Sequence, residues 1–404
     1  MTNKLYAFLI FCSSIIYGES INAQCPAGRY LYSGLFSTVT MDSVTYSTAN
    51  GTTLKMDIYQ PVGDTLSARP CIILAHEGSF VSGNRENDAT IVSLCANFAK
   101  RGYVTASIDY RLGSFINMLN ADSATDIVVK AISDGKAAIR FMVQDAATSN
   151  LYKIDTNNIF IGGNSAGAVL NMNLGYLDSI SECSPMVLAA LNANGGFEGN
   201  SGNAGYTTKF KAIINLAGAV NDTNYISVGD KPSVNAQGSL DNVVPYECGS
   251  PFGFVPVTLC GLGRLEPAYV RNSIYHISHV FDADGHVPWD TSVTKFNLVD
   301  SMVTVFLYNL ICTNIAAVNE VSLNTDLSLF PNPAKDELNI TSSQTISEAI
   351  VYDETGREIY KLNNINHTNC RIATKQWLHG IYFIKIKFTN ANNTPLVKKI
   401  IVGY

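Results

Sequence analysis

Apolar and polar positions alternate in two short runs near the start of the chain, Phe36–Val44 and Leu54–Tyr59. Asn50-Gly51 lies between them, so the pair reads as a β-hairpin. The pattern then changes. Cys71-Ile72-Ile73-Leu74-Ala75 is apolar at every position, as a parallel strand buried on both faces should be. A helical period follows from Ala89 to Lys100, closed by Arg101-Gly102. A strand covers Tyr103–Tyr110, and a long helix Ser123–Gln144. Ile159-Phe160-Ile161 opens another apolar strand that turns through glycines into an amphipathic helix, Ala166–Leu177. Three more strands, Phe210–Leu216, Ser233–Ala236 and Tyr275–Val280, precede a last helix at about Thr291–Tyr308. Strands alternating with helices predict a mostly parallel sheet with helices on both faces. The segment Asp178–Thr208 is looser, and its Gly/Asn-rich half, Asn192–Tyr206, has the composition of a lid, a substrate wall or a plain surface insertion.

From Ile315 the pattern is different again. Residues 319–326 read as a linker. Beyond it, short strands at Glu337–Thr341, Glu348–Tyr352, Arg357–Lys361, Ile381–Phe388 and Val397–Val402 predict a small all-β, sandwich-like module over 327–404. Asp353-Glu354-Thr355-Gly356 is a hairpin turn within it. The chain's 404 residues exceed one ordinary core, which agrees with two domains. Hydrophobic content of 47% against 15% charged residues excludes a disordered chain. A net charge of −6 with no basic stripe gives no reason to expect nucleic-acid binding.

The first residues have the form of a secretory leader. Lys4 supplies the positive end, Leu5–Ile16 the apolar run, and Ile21-Asn22-Ala23 a cleavage site, so residues 1–23 are expected to be removed. No later stretch is long and apolar enough to span a membrane. Of 9 cysteines one, Cys12, lies in the leader, leaving 9 − 1 = 8 in the exported chain. An even count in an exported protein points to disulfides, and Cys248 with Cys260, flanking a Gly/Pro-containing loop, is the best local pair. No cysteine pair has zinc-ligand spacing, and neither a metal nor a cofactor is expected.

The candidate chemistry centres on Gly163-Asn164-Ser165-Ala166-Gly167, a G-x-S-x-G turn between a strand and a helix. Such a turn presents Ser165 Oγ at the carboxyl end of a sheet and leaves the Ala166 N–H free at a helix N-terminus. A serine nucleophile needs a base, an orienting acid and oxyanion donors. The acid candidate is Asp241, which follows the Ser233–Ala236 strand by a Gly-containing turn. The base candidate is His286, after the Tyr275–Val280 strand. Asp282 and Asp284 compete as acids from closer in sequence. His276 and His279 alternate with apolar residues inside their strand and read as structural. The loop His76-Glu77-Gly78-Ser79-Phe80 ends the Cys71–Ala75 strand. It offers Gly78 and Ser79 as oxyanion donors beside Ala166, with His76 orienting the loop.

On these residues the stretch 30–312 resembles the α/β-hydrolase superfamily, in its secreted carboxylesterase branch with an H-G-G-x-F loop and a G-x-S-A-G elbow; Asp109-Tyr110-Arg111-Leu112 sits where that branch has a similar tetrapeptide. The resemblance implies an α/β-hydrolase catalytic domain over 24–318 and a serine esterase acting on acetyl, feruloyl or other acyl esters, small or polysaccharide-linked. A serine peptidase of the same superfamily, or a catalytically impaired surface binding protein, is the alternative. Two positions depart from the pattern: Glu77 replaces a glycine, and Gln237 stands where a histidine is frequent. The tail resembles the type IX secretion sorting domain of Bacteroidota. The matching pieces are Phe330-Pro331-Asn332-Pro333, Leu338-Asn339-Ile340, Tyr352-Asp353, Gly380-Ile381-Tyr382-Phe383 and Lys398-Lys399-Ile400-Ile401-Val402. That resemblance implies the type IX machinery as a partner and a secreted or cell-surface destination.

Overall fold

The computed structural model describes residues 25, 28–312, 327–331, 334–353, 357–377, 380–389 and 396–402. The expected leader, 1–23, and linker, 319–326, lie outside the described residues. Two compact units divide the chain, Met1–Asn314 and Ile315–Tyr404.

The first unit is built on an eight-stranded sheet. Its strands begin with β1 (Val39–Ala49), β2 (Thr52–Pro61), β3 (Arg69–Ala75), β4 (Val104–Ile108), β5 (Ile154–Asn164), β6 (Ala212–Leu216) and β7 (Ser233–Gly238). A two-residue ladder, β8 (Cys248–Gly249) with β9 (Leu259–Cys260), stands apart from the sheet, which β10 (His276–Phe281) completes. The order across the sheet is β1-β2-β4-β3-β5-β6-β7-β10. Asn50 and Gly51 both take positive φ, 49° and 80°, so the β1–β2 hairpin turns as the Asn-Gly pair predicts. From β4 to β10 every pairing is parallel.

Because successive strand residues face opposite sides, β3 feeds two cores. Cys71, Ile73 and Ala75 join the core under α3 (Ala121–Ala147), α4 (Ala166–Tyr176), α5 (Pro185–Ala193) and α6 (Leu262–Arg271). Ile72 and Leu74 join the core under α1 (Ala89–Lys100) and α7 (Val293–Cys312). A short helix, α2 (Phe115–Met118), precedes α3. Capping accounts for the starts: Asp88 accepts from Ile91 N–H at α1, and Asn120 from Ser123 N–H at α3.

Besides the short α2, two helices fall where the sequence pattern shows none. The looser segment 178–208 contains α5, which starts on Ser184 and Pro185 in the favoured cap and first-turn positions. In α6 Pro267 interrupts the sequence signal, yet the helix runs through it. Two disulfides form. The expected Cys248–Cys260 pair closes a loop, and Cys25–Cys312 joins the first described residue to the end of α7.

The second unit is antiparallel. Its strands are β11 (Ser328–Phe330), β12 (Glu337–Asp353), β13 (Glu358–Ala373), β14 (Gly380–Phe388) and β15 (Leu396–Val402), with β12 pairing β11, β13 and β14. The two strands expected at Glu337–Thr341 and Glu348–Tyr352 are one strand. Its register against β13 shifts between Thr341 and Ile346 and again before Glu348. The polar run Ser342-Ser343-Gln344 interrupts the apolar alternation, so a bulged strand reads as two. Leu338, Ile340, Val351, Ile372, Ile384 and Ile400 form its core.

Arg101 and Asp300 form a buried ion pair between the C-cap of α1 and the side of α7, with side-chain exposures of 7% and 9%. Removing one partner strands the other charge. Asp300→Ala is therefore expected to cost about 3–5 kcal/mol, read as a fall in the urea midpoint of the whole protein.

Candidate active site

The site begins with a backbone constraint at the turn from β5 into α4. Ser165 holds φ 51° and ψ −115°, a strained conformation for a non-glycine residue. The Ser165 N–H donates to Leu216 O at 2.8 Å, which fixes the turn to β6. A Cβ on Gly167 would stand 2.1 Å from Ala75 O, and one on Gly163 2.4 Å from the Gly167 carbonyl carbon. Only glycines let α4 press this close to the end of β3.

Ser165 Oγ lies 2.7 Å from His286 Nε2, and His286 Nδ1 lies 2.8 Å from Asp241 Oδ2. The three residues come from the ends of β5, β7 and β10. A carboxylate carries no proton to give, so Nδ1 donates to Asp241. That leaves Nε2 as the acceptor for the Ser165 hydroxyl proton. Asp241 is buried and held from several directions. Its Oδ1 accepts from the Val243 and Val244 N–H groups, both at 3.0 Å, and its Oδ2 accepts from Gln237 Nε2 at 3.2 Å as well as from His286. Gln237, one of the two departures, thus braces the acid. Its Oε1 also accepts from Leu262 N–H at the start of α6 and its Nε2 donates to Val244 O.

The competing groups lie elsewhere. Asp282 accepts from Ser239 Oγ, and Asp284 pairs with Lys295. His276 bonds Ile274 O through Nδ1, and His279 packs edge-on against Phe281. His76 is buried, stacked on Tyr110 at 4.3 Å, and bonds the Glu77 carbonyl. Burial pushes its pKa down, which keeps it a neutral brace for the loop.

That loop carries three successive positive φ values, at Gly78 (118°), Ser79 (55°) and Phe80 (62°). Left-handed turns of this kind gather backbone N–H groups into a concavity. Among the described residues no protein acceptor takes the Gly78, Ser79 or Ala166 N–H. Ser79 and Ala166 line one cavity with Ser165. Gly78 stands one residue behind, its carbonyl accepting from the Val81 and Ser82 N–H groups.

Glu77, the other departure, brings in residues that the sequence pattern does not single out. Its N–H donates to Asp88 Oδ2 at 3.0 Å. Its half-buried carboxyl is pushed up to about 6, first by desolvation, then by the charges of Asp88 and Asp290, and His286 opposes the shift. Asp88 and Asp290 are raised as well, chiefly by burial; Asn164 favours the charged form of both. Asn164 Oδ1 in turn accepts from Trp289 Nε1 at 3.2 Å. Glu77, Asp88 and Asp290 therefore form a cluster of carboxyls, and the charge of His286 acts on Glu77 and Asp290. No signal in the sequence spacing joins residues 77, 88 and 290.

Residues 56–221 match the BD-FAE family, and residues 328–403 match the secretion system C-terminal sorting domain. The first match includes Ser165 and ends before Asp241 and His286, which only the fold brings to it. No curated protein matches the chain. Among solved structures, native esterase 2 of the Planctomycetes species Thermogutta terrifontis has a TM-score of 0.50 at 18% identity, covering 69% of this chain and 95% of that one. The same esterase phosphonylated by sarin has a TM-score of 0.50 at 18% identity, covering 67% and 95%. At such identity the likeness is one of fold. The chain carries an α/β-hydrolase fold followed by a separate antiparallel unit similar to secretion sorting domains.

Glu77 ties the stability of the fold to pH. Below the usual carboxyl range Glu77 is protonated whether the chain is folded or not. As pH rises toward about 6 the unfolded chain releases a proton that the folded chain keeps, so stability falls; above that value the loss is complete. Glu77→Gln removes this contribution. The Tm advantage of the variant over wild type is expected to be small near pH 4 and to grow to a plateau above about pH 6.5.

Proposed function

We propose that this chain is an exported serine carboxylic-ester hydrolase. The observation that carries the reading is the unbroken chain of hydrogen bonds from Ser165 Oγ through His286 to the buried Asp241. His286 Nε2 takes the Ser165 proton as Oγ attacks the ester carbonyl carbon. The tetrahedral oxyanion is received by the N–H groups of Ser79 and Ala166, with Gly78 adjoining, and each such donor contributes roughly 3 kcal/mol in the transition state. Nε2–H then protonates the leaving alcohol, and the acyl group remains on Oγ. Water enters, gives a proton to Nε2, and its oxygen bonds to the acyl carbon; the acyl C–Oγ bond then breaks, the carboxylic acid leaves, and Oγ takes the proton back from Nε2. Asp241 keeps the imidazole in one tautomer and faces the imidazolium as it forms.

The reading extends to the whole chain. Residues 1–23 act as the export leader, 24–318 as the catalytic domain, 319–326 as the linker and 327–404 as the type IX sorting domain. The destination is the cell surface or the medium. The binding-protein alternative needs a disabled site. An assembled nucleophile, base and acid favours catalysis instead, and Glu77 lies beside that set without interrupting it.

The test is ester hydrolysis by the mature protein beside Ser165→Ala. Wild type is expected to turn over nitrophenyl esters and to be labelled by a fluorophosphonate. The variant is expected to lose at least about 10⁴ in kcat and all labelling. Activity that survives Ser165→Ala would move the reading to another nucleophile.

A further inference from the structure

One cavity opens directly on the nucleophile. It is partly open to solvent, and Ser165, Ala166 and Ser79 are among its lining residues. Its walls are aliphatic: Val129 and Ile132 from α3, Val169 from α4, Val187 from α5, and Val255 and Leu259 from the loop between Cys248 and Cys260. Apart from Ser79 and Ser165 at the nucleophile, the polar side chains on the wall are already engaged. Thr125 Oγ1 donates to Met186 Sδ at 3.2 Å. Asn173 Nδ2 donates to Val169 O and Ala219 O, and its Oδ1 faces the Asn221 N–H. Asn221 Nδ2 donates to Thr258 O. A hydroxyl, a methoxy group or a charge carried into this space would find little to pair with, and an unpaired buried polar group is costly.

The mouth continues the same chemistry outward. Phe115 on α2 and Phe254 on the disulfide-closed loop meet edge to face at 6.2 Å, and Phe252 stacks on Phe254 at 5.8 Å. All three are exposed, with Phe115 at 60%. An exposed aromatic cluster that runs into a buried aliphatic channel is a path for apolar ligand.

Resting on the ester-hydrolase reading, we propose that the acyl group is an unbranched aliphatic chain longer than butyrate, admitted past Phe115 and Phe254 and lodged between α3, α5 and the Cys248–Cys260 loop. A short acetyl group leaves most of the channel empty. A feruloyl group carries its phenol and methoxy into it. The aliphatic chain alone matches the wall along its length.

The experiment is a nitrophenyl ester series from acetate through butyrate, hexanoate, octanoate and decanoate, with methyl ferulate beside it. Each methylene that enters the channel is expected to raise kcat/KM about fourfold until the channel is full. Val255→Phe is expected to shift the optimum to a shorter chain, with the octanoate-to-acetate ratio falling at least about tenfold. A maximum at acetate, or methyl ferulate preferred to octanoate, overturns the proposal and leaves the serine hydrolase standing. To read the channel without the chemistry, methyl alkanoates of the same lengths are titrated calorimetrically against Ser165→Ala protein. Affinity that rises with each methylene supports the aliphatic channel even if hydrolysis fails. Affinity flat with length sinks it, whatever the catalytic outcome.

Discussion

The close approach of α4 to the end of β3 is the constraint on which the site depends. With Gly167 against the Ala75 carbonyl, the peptide of Ser165 can turn into its strained conformation and still donate to β6. That one turn sets three directions together. It aims the hydroxyl at His286, leaves the Ala166 N–H unpaired, and brings the His76–Phe80 loop alongside, because the loop leaves from the same strand end. A Cβ at residue 167 would have to be relieved by moving backbone, and backbone in a sheet centre has little freedom to move. The strain at Ser165 is held by parallel strands on either side of β5, whose alternating side chains feed both cores.

Four carboxyls around the histidine show how environment divides identical chemistry. Asp241 receives two backbone N–H groups, an amide and the imidazole, so its negative charge is matched at every lone pair that matters. Glu77, Asp88 and Asp290 have fewer donors, and desolvation, joined at Glu77 and Asp88 by the charge of Asp290, raises the pKa of all three. The histidine thus has a multiply hydrogen-bonded acid partner, and nearby a carboxyl whose charge varies within the mildly acidic range. Glu77 puts a titratable carboxyl in the loop without displacing Ser165, His286 or Asp241.

Much of this was legible in the sequence because it is local. The glycines of the elbow, the all-apolar runs Cys71–Ala75 in β3 and Ile159–Ile161 in β5, the Asn50-Gly51 turn and the half-buried alternation of the tail each state their structure within a few residues. Ser165, Asp241 and His286 could be picked out because each follows a strand, and strand ends in an open α/β sheet gather at one edge. What was not legible depends on long-range placement or on a broken local signal. The partner of Cys25 lies 287 residues away. Helix α6 hides behind Pro267, and β12 behind a polar bulge. The carboxyl group of three comes from separate loops, and Gln237 looks like a substitution until its two acceptors and its donor partner are seen. The acyl channel is the extreme case, since its lining is drawn from α2 through the Cys248–Cys260 loop, and no single stretch of sequence contains it.

The Cys248–Cys260 bridge closes the loop that carries Phe252, Phe254, Val255 and Leu259, and so closes one wall of the channel. Disulfides form after a chain has left a reducing compartment. A chain still inside the cell would have its nucleophile in place, because the elbow needs no cysteine, yet would lack a fixed wall for the substrate. Oxidation then completes the binding half of the enzyme separately from the chemical half. If the proposed ester hydrolysis holds, activity would then depend on the compartment in which this bridge closes.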